Sequence, residues 1–586
     1  MPRVSWALRE HHKTLLGRER GSVVKDPGGR LKVVVLYPNT YQVGMANLGL
    51  AVIYRLLNDR PDTLCERAFL PGRQAQAIYA KTGDVLASLE SSRPVADFDL
   101  VLATLSFEND APNLAAMLMH AGLGFYSESR RGPLVVAGGV AAMLNPEPYA
   151  PLMDGLLLGE AEVVLGPFME TLLEQKELSR EERLLELAQK VPGFYAPRFY
   201  RPSYHDDGTL AAFTPSAEVP ARIVAPKYQG PAAGLARSAL TAAPQGKGQG
   251  RGPEFGDMAL LEVGRGCGHA CRFCAAGHVN RPPRLGEGRD FAAAALQAAQ
   301  QVGKVGLVSA AVSDLAGGAE LARTVVEAGG RISVSSLRAD CLSLELVRAL
   351  AESGSQSVAL APEAGSERLR RVINKHLSEA QLVRAVEALI TGGILNLKLY
   401  FMVGLPTETE ADVAEMIDLV KLLRQQVVSF AKEQGRLGQV AVSLNAFVPK
   451  PWTPFQWEPM APLKLIKDRM AQIKTRLGRL ANLKVTSDVP KYARLQAALS
   501  RGDRRLAPLI ATLARDPQPQ RAEAALGLDL DFFATRRRHR DELLPWDLVD
   551  HGIGKEYLWD EAQRALKGKE SPPCQVGVCH RCGVCA

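Results

Sequence analysis

No stretch of the 586-residue chain reaches the roughly 18 uninterrupted apolar residues that a membrane-spanning helix requires, and the opening MPRVSWALREHHKTLLGRER lacks the apolar core of a secretory signal. The expectation is a cytoplasmic protein with no membrane partner. Cysteine is scarce, nine residues in all, which excludes a disulfide-rich scaffold. Charge of one sign is in short supply too. The 71 Lys and Arg stand against 63 Asp and Glu, and a net +8 spread over this length permits a polyanionic partner without showing one. With 46% hydrophobic and 23% charged residues, neither disorder nor a fibrous repeat fits, and at roughly 150 residues per domain the length asks for three or four compact units.

What is present is alternation. LKVVVLY (31 to 37) reads as a buried strand and NLGLAVIYRLLN (47 to 58) as an amphipathic helix; DLVLATLS, NLAAMLMHAGL, PLVVAGG and GLLLGEAEVVLGPFMETLLE continue the pattern to 174. Residues 1–228 are therefore expected to form an α/β domain with a doubly wound parallel sheet. The segment 229–256, rich in Gly, Ala, Pro and Gln, reads as a flexible linker. A second alternation begins at DMALLEVGRG, with further strands at 304–311, 331–337, 356–362, 395–404 and 438–449, and predicts a partial (β/α)6 barrel over 257–460. Beyond 461 the strand signal fades, leaving a mostly helical, basic region to 586.

Seven of the nine cysteines fall into two clusters. In EVGRGCGHACRFCAAG, Cys267, Cys271 and Cys274 follow the first barrel strand as C-x-x-x-C-x-x-C, where barrel active sites lie. Three thiolates on one loop can bind three irons of a cubane and leave the fourth iron open to a ligand. The competing reading is a three-cysteine zinc site completed by His269 or His278; outside that role the two histidines read as loop or surface positions. The arrangement, with Phe273 before the last cysteine, resembles the radical S-adenosylmethionine (radical SAM) superfamily. That resemblance implies a 4Fe-4S cluster, S-adenosylmethionine chelated at the open iron, and an external reductant such as flavodoxin or ferredoxin. SLRADCLSLELVRAL, LAPEAGSERLRRVINK, LKLYFMVGLPTETEAD and NAFVPKPWTPFQW look like strand-end motifs of one branch, in which an N-terminal cobalamin-binding-like domain and a C-terminal cysteine tail accompany the barrel. It further implies that Glu363, Ser366, Arg368 and Gly404 surround S-adenosylmethionine; the bland alternative for Glu363 and Arg368 is a structural ion pair at a strand-to-helix turn. No acid, base or nucleophile is singled out.

Cobalamin domains of the family commonly carry D-x-H-x-x-G after the first strand, but here that place reads YPNTYQVGMANLG. Asn39, Thr40, Gln42 and Gly44 could at most contact a cobalamin held without a protein imidazole. Gly138, Gly139 and Ser106 resemble the small residues that let a nucleotide tail pass over such a sheet, although strand-end glycines more often serve turns.

At the C-terminus, CQVGVCHRCGVCA groups Cys574, Cys579, Cys582 and Cys585, a spacing open to a second iron–sulfur cluster or to zinc. Such a tail is expected to be mobile, and, lying in a different domain from the barrel cysteines, to hold its metal independently. The basic stretches TRRRHR, RGDRRL and KDRMAQIKTRLGR could line an RNA groove, or could be solvated helix faces. Two functions follow. The first is a radical SAM enzyme that modifies an unactivated carbon, by methylation if cobalamin is bound, with RNA the leading substrate by resemblance. The second is a noncatalytic RNA- or ribosome-binding protein whose clusters are structural or redox-sensing.

Overall fold

A computed structural model of the chain describes residues 4–175, 177–234, 237–238, 240–242, 257–433 and 435–585. The first unit is a six-stranded sheet built from β1 (Leu31–Tyr37), β2 (Thr63–Phe69), β3 (Leu100–Thr104), β4 (Leu134–Gly138), β5 (Gly155–Leu157) and β6 (Phe194–Tyr195). The strands run in the order β2-β1-β3-β4-β5-β6, all parallel except β6. Near-continuous apolar strands are what a sheet covered on both faces demands, and Val33 to Leu36 of β1 are fully buried. Because the chain steps from β1 to β2 on one side and to β3 on the other, a crevice opens beyond their C-terminal ends.

Strand β2 carries no apolar run, and the sequence reading passes over it. Its Glu66 and Arg67 are buried, and Arg67 is neutralised by Glu19 at 2.6 Å and Glu90 at 2.7 Å while its guanidinium lies 4.5 Å over the Tyr54 ring. A charge placed mid-strand hides the strand from a pattern search, yet the partners that make it tolerable are distant in sequence.

The second unit is a (β/α) arrangement that does not close. β7 (Ala259–Glu262), β8 (Lys304–Val308) and β9 (Arg331–Val334) form one parallel set, with Arg237–Ser238 added antiparallel on the outer edge of β7. β10 (Ser357–Glu363), β11 (Asn396–Val403) and β12 (Gln439–Ala446) form another, and β13 (Leu483–Ser487) extends it. Among the described residues no pairing joins β9 to β10, so the barrel is partial. All six expected strands are present; β13 is a seventh, missed because LKVTS is short, half-exposed and at an edge. Along β10 to β12 buried residues alternate with accessible ones, so one face packs on helices and the other, with Glu363, Lys398, Tyr400 and Asn445, lines the open interior.

The segment expected as a linker lies partly outside the described residues, at 235–236, 239 and 243–256; within its described part, Thr241–Ala242 pairs antiparallel with Glu19–Arg20. The C-terminal region is mainly helical and folds back across the first unit: Asn145 donates to the carbonyls of Ser500 and Gly502, and Arg504 pairs with Glu147 at 2.9 Å. Its arginines are largely engaged inside the molecule. Arg501 is fully buried and donates to the carbonyls of Ala534 and Arg536, while Arg536 and Arg538 share Glu542 and Arg537 pairs with Glu458.

Candidate active site

The loop after β7 carries Cys267, Cys271 and Cys274 to the C-terminal end of the barrel. Asn374, fully buried and in the left-handed region at φ +57°, donates to the carbonyls of His269 and Ala270 and so fixes the loop's turn, where Ala270 itself has φ +55°. Arg272, also fully buried, donates to the carbonyls of Arg371 and Val372 and pairs with Glu561 at 3.1 Å. The segment 371–374 that ends the PEAGSE helix is thus the cradle of the cysteine loop. Sequence reasoning quoted that motif but missed Asn374, because the loop it holds lies about a hundred residues away along the chain.

Burial, then the neighbouring thiols Cys271 and Cys274, push the Cys267 thiol up to about 11, and burial raises that of Cys274. Arg338 acts on Cys267 and Lys375 on Cys274 in the opposite sense. Thiols that, at Cys267 and Cys274, give up their protons less readily until positive charge arrives belong to a donor set suited to a cationic cluster core. Among the described residues no three His, Cys, Asp or Glu donors converge on a single-ion position. His269 is bound to Asp314 at 2.6 Å, and His278, buried rather than at the surface, faces the Cys274 carbonyl at 2.9 Å through Nδ1.

Around the barrel mouth, Glu363 ends β10 in the left-handed region at φ +67° and pairs with Lys375 at 3.5 Å, not with Arg368. Ser366 donates to Asp412 and accepts from the Leu369 amide, capping the helix Glu367–Val372. Arg368 bonds the same Asp412 and the Thr407 carbonyl, the latter at 2.8 Å. Gly404, at φ +87° after β11, gives its amide to Glu408 at 2.7 Å, so that amide is already engaged within the chain. Arg338, held by Asp340 at 2.8 Å, and Lys375 are the cations that face the thiols; neither was singled out from sequence.

At the crevice of the first sheet, Asn39 and Thr40 follow β1 and Ser106 follows β3. Asn39 donates to Asp110 at 3.2 Å and Thr40 precedes the short helix Tyr41–Gly44, which contains Gln42. Gly44 is required by packing, since a Cβ there would lie 2.4 Å from Phe69. Gly139 has φ +109°, and a Cβ would meet the Leu105 carbonyl oxygen at 2.6 Å. Gly138 and Gly139 line an apolar cavity of about 60 Å³ with Thr104, Leu157 and Val164, a slot between sheet and helix that small side chains keep open.

Beside this crevice Glu108, buried, is held by Lys450 from the loop after β12 and by Gln496 from the C-terminal helices. The ends of the two α/β units thus meet through a charged pair.

The tail lies against the barrel's cysteine loop. The Cys574 amide donates to the Gly268 carbonyl at 2.7 Å, directly beside Cys267, so the two cysteine sets adjoin in space rather than standing apart.

Two family models match the chain: radical SAM proteins, N-terminal, over residues 49–197, and the radical SAM superfamily over residues 261–420. Together they span just over half of it, and the chain belongs to the radical SAM superfamily. It is accordingly an enzyme of the class that uses a 4Fe-4S cluster and S-adenosylmethionine. An uncharacterized protein of Methanocaldococcus jannaschii is 28% identical over 431 residues, 73% of this chain and 79% of its own. Among solved structures, the radical S-adenosylmethionine methyltransferase TsrM from Kitasatospora setae, with cobalamin and a [4Fe-4S] cluster bound, superposes with a TM-score of 0.48 at 14% identity, covering 83% of this chain and 100% of that one. The cobalamin-dependent S-adenosylmethionine radical enzyme OxsB, with aqua-cobalamin bound, gives 0.43 at 12%, covering 84% and 71%. No helix of the described residues is long and apolar enough to cross a membrane.

Proposed function

We propose that Cys267, Cys271 and Cys274 hold the 4Fe-4S cluster, that cobalamin lies over the C-terminal edge of the first sheet without a protein imidazole, and that the reaction is methyl transfer to an unactivated carbon. The observation that carries the reading is the trio of closely spaced thiols, clamped at the barrel mouth by Asn374 and Arg272 and faced by Arg338 and Lys375. When bound, cluster and S-adenosylmethionine supply a 5′-deoxyadenosyl radical on receipt of one electron from a flavodoxin- or ferredoxin-class reductant, and cobalamin supplies a transferable methyl group.

The chain's own residues do the orienting. Arg338 and Lys375 offer positive charge to a carboxylate beside the cysteine loop. Asp412 ties Ser366 and Arg368 to the loop after β11, which fixes the rim where S-adenosylmethionine would lie. The 60 Å³ slot at Gly138 and Gly139, together with Asn39, Thr40, Gln42 and Ser106, offers apolar and amide surface but no imidazole. RNA remains the substrate class suggested by resemblance, and its support reduces to the exposed Lys464, Lys467, Lys474 and Arg476 of the helix Leu463–Leu477, because the arginines of 501–506 and 535–540 are mostly paired internally. The noncatalytic alternative has no observation in its favour.

The test is anaerobic reconstitution followed by dithionite and S-adenosylmethionine. Formation of 5′-deoxyadenosine is expected, as is retention of added cobalamin. Protein that carries iron at the loop yet yields no 5′-deoxyadenosine overturns the catalytic assignment, and cobalamin that washes out overturns the methyl-transfer part alone.

A further inference from the structure

The four tail cysteines have no part in the reaction just proposed, and their setting is specific. After the helix Lys555–Leu566 the chain is clamped at Ser571, which is buried, exchanges hydrogen bonds with Asn374 and accepts from Arg272. Three residues on, Cys574 bonds Gly268 of the barrel loop. The chain then turns back, with the Cys579 amide donating to the Gln575 carbonyl at 2.8 Å and the Gly554 amide to the Cys582 carbonyl at 3.0 Å. Cys582 is 2% exposed, and Cys574 lies within the electrostatic reach of Cys579, Cys582 and Cys585.

Two guanidinium groups address these sulfurs. Arg581 donates to the Cys579 sulfur at 3.4 Å, and the Arg281 guanidinium, from the far end of the barrel's cysteine loop, donates through Nη1 to the Tyr557 hydroxyl and lies near enough to Cys582 to act on it electrostatically. N–H donors on thiolate sulfur are what hold and tune an anionic cluster. Cys574, Cys579 and Cys582 follow C-x4-C-x2-C, with Cys585 supplying a fourth thiol three positions on, a ferredoxin-type spacing.

We infer that Cys574, Cys579, Cys582 and Cys585 hold a second iron–sulfur centre, and that its assembly locks the tail onto the loop carrying Cys267, Cys271 and Cys274. The coupling runs through the Cys574 amide to the Gly268 carbonyl and through the Ser571–Asn374 clamp. It stands independently of cobalamin and of the substrate.

The test uses the full-length chain with Cys267, Cys271 and Cys274 all replaced by alanine, loaded anaerobically with ferrous iron and sulfide. Iron, sulfide and zinc per chain, the paramagnetic resonance spectrum after reduction, and hydrogen exchange before and after loading are read together. The expected result is iron and sulfide retained with an iron–sulfur signal, and exchange at residues 266–272 slowed about tenfold on loading. Adding Cys579→Ala and Cys582→Ala should abolish both. Iron lost entirely, or a single chelatable zinc in its place, overturns the centre, and a loaded tail that leaves exchange at 266–272 unchanged overturns the coupling. Should the triple variant refold poorly, the Cys579→Ala/Cys582→Ala protein alone decides the centre, which requires it to lose part of the wild-type iron. Wild-type iron content in the triple variant would instead contradict the assignment of the barrel loop and leave the tail site standing.

Discussion

Asn374 and Ser571 hydrogen-bond each other in both directions: the Ser571 amide donates to the Asn374 side-chain oxygen at 2.9 Å, and the Asn374 side-chain nitrogen to the Ser571 carbonyl at 3.2 Å. The same asparagine holds the carbonyls of His269 and Ala270, so one buried side chain fastens the C-terminal segment and the cysteine loop together. Asn374→Ala strands the buried Ser571 amide and leaves alanine at positive φ, a loss of about 2–3 kcal/mol. Hydrogen exchange should quicken both at 266–272 and at 571–582 while β1 is unaffected. Quickening of only one of the two segments would show that they are held separately.

Single replacement of Cys267, Cys271 or Cys274 by alanine should each abolish 5′-deoxyadenosine formation, because a cubane with one open iron has only three protein ligands to lose. The three should be equally damaging. Any one variant with near-normal iron and product would remove that cysteine from the ligand set.

The crevice of the first sheet has a pH signature. Burial lifts the Asp110 carboxyl from 3.8 to about 6, against the hydrogen bond from Asn39 that favours its ionised form. The folded carboxyl keeps its proton to higher pH than the unfolded one, so its contribution to stability is fully present below its unfolded value and is lost as pH rises through about 6. With screening by water the swing is about 1–2 kcal/mol. Asp110→Asn keeps an acceptor for Asn39 and removes the titration. Urea unfolding at pH 5 and pH 8 should therefore show the variant gaining stability relative to the parent at the higher pH. An equal difference at both values would mean that Asp110 titrates normally.

The strands and cysteines that organise this chain were legible because period and spacing are local: the apolar β1, β3 and β4, the six barrel strands and the motif around Cys267 can each be read within a dozen residues. What could not be read depends on partners far along the chain. β2 is a strand only because Glu19 and Glu90 accept Arg67. The TRRRHR and RGDRRL stretches look like an anion-binding face until Glu147, Glu458 and Glu542 are brought to them. The tail looked separate because nothing in CQVGVCHRCGVCA points to Gly268, whose contribution is a backbone carbonyl that any residue would carry.

A cobalamin at the edge of the first sheet would find no histidine directly after β1. After β1 the chain presents Asn39, Thr40 and Gln42, and the Asn39 amide is already turned to Asp110. These groups offer amide and hydroxyl oxygen and no imidazole, so a cobalamin seated at this edge should show no nitrogen coupling from the protein. The check is the paramagnetic resonance of bound cob(II)alamin in protein whose histidines carry nitrogen-15: the spectrum should match that of unlabelled protein. A change in the splitting on labelling would place a histidine on cobalt and overturn the prediction. If no cobalamin binds, the Gly139 variant separates the two remaining roles of the crevice. A methyl at this φ of +109° would press on the Leu105 carbonyl, so Gly139→Ala should lower stability by about 2 kcal/mol or more whatever the ligand. It should impair turnover in proportion to unfolding only if the first sheet is scaffold, and beyond that if the slot receives substrate.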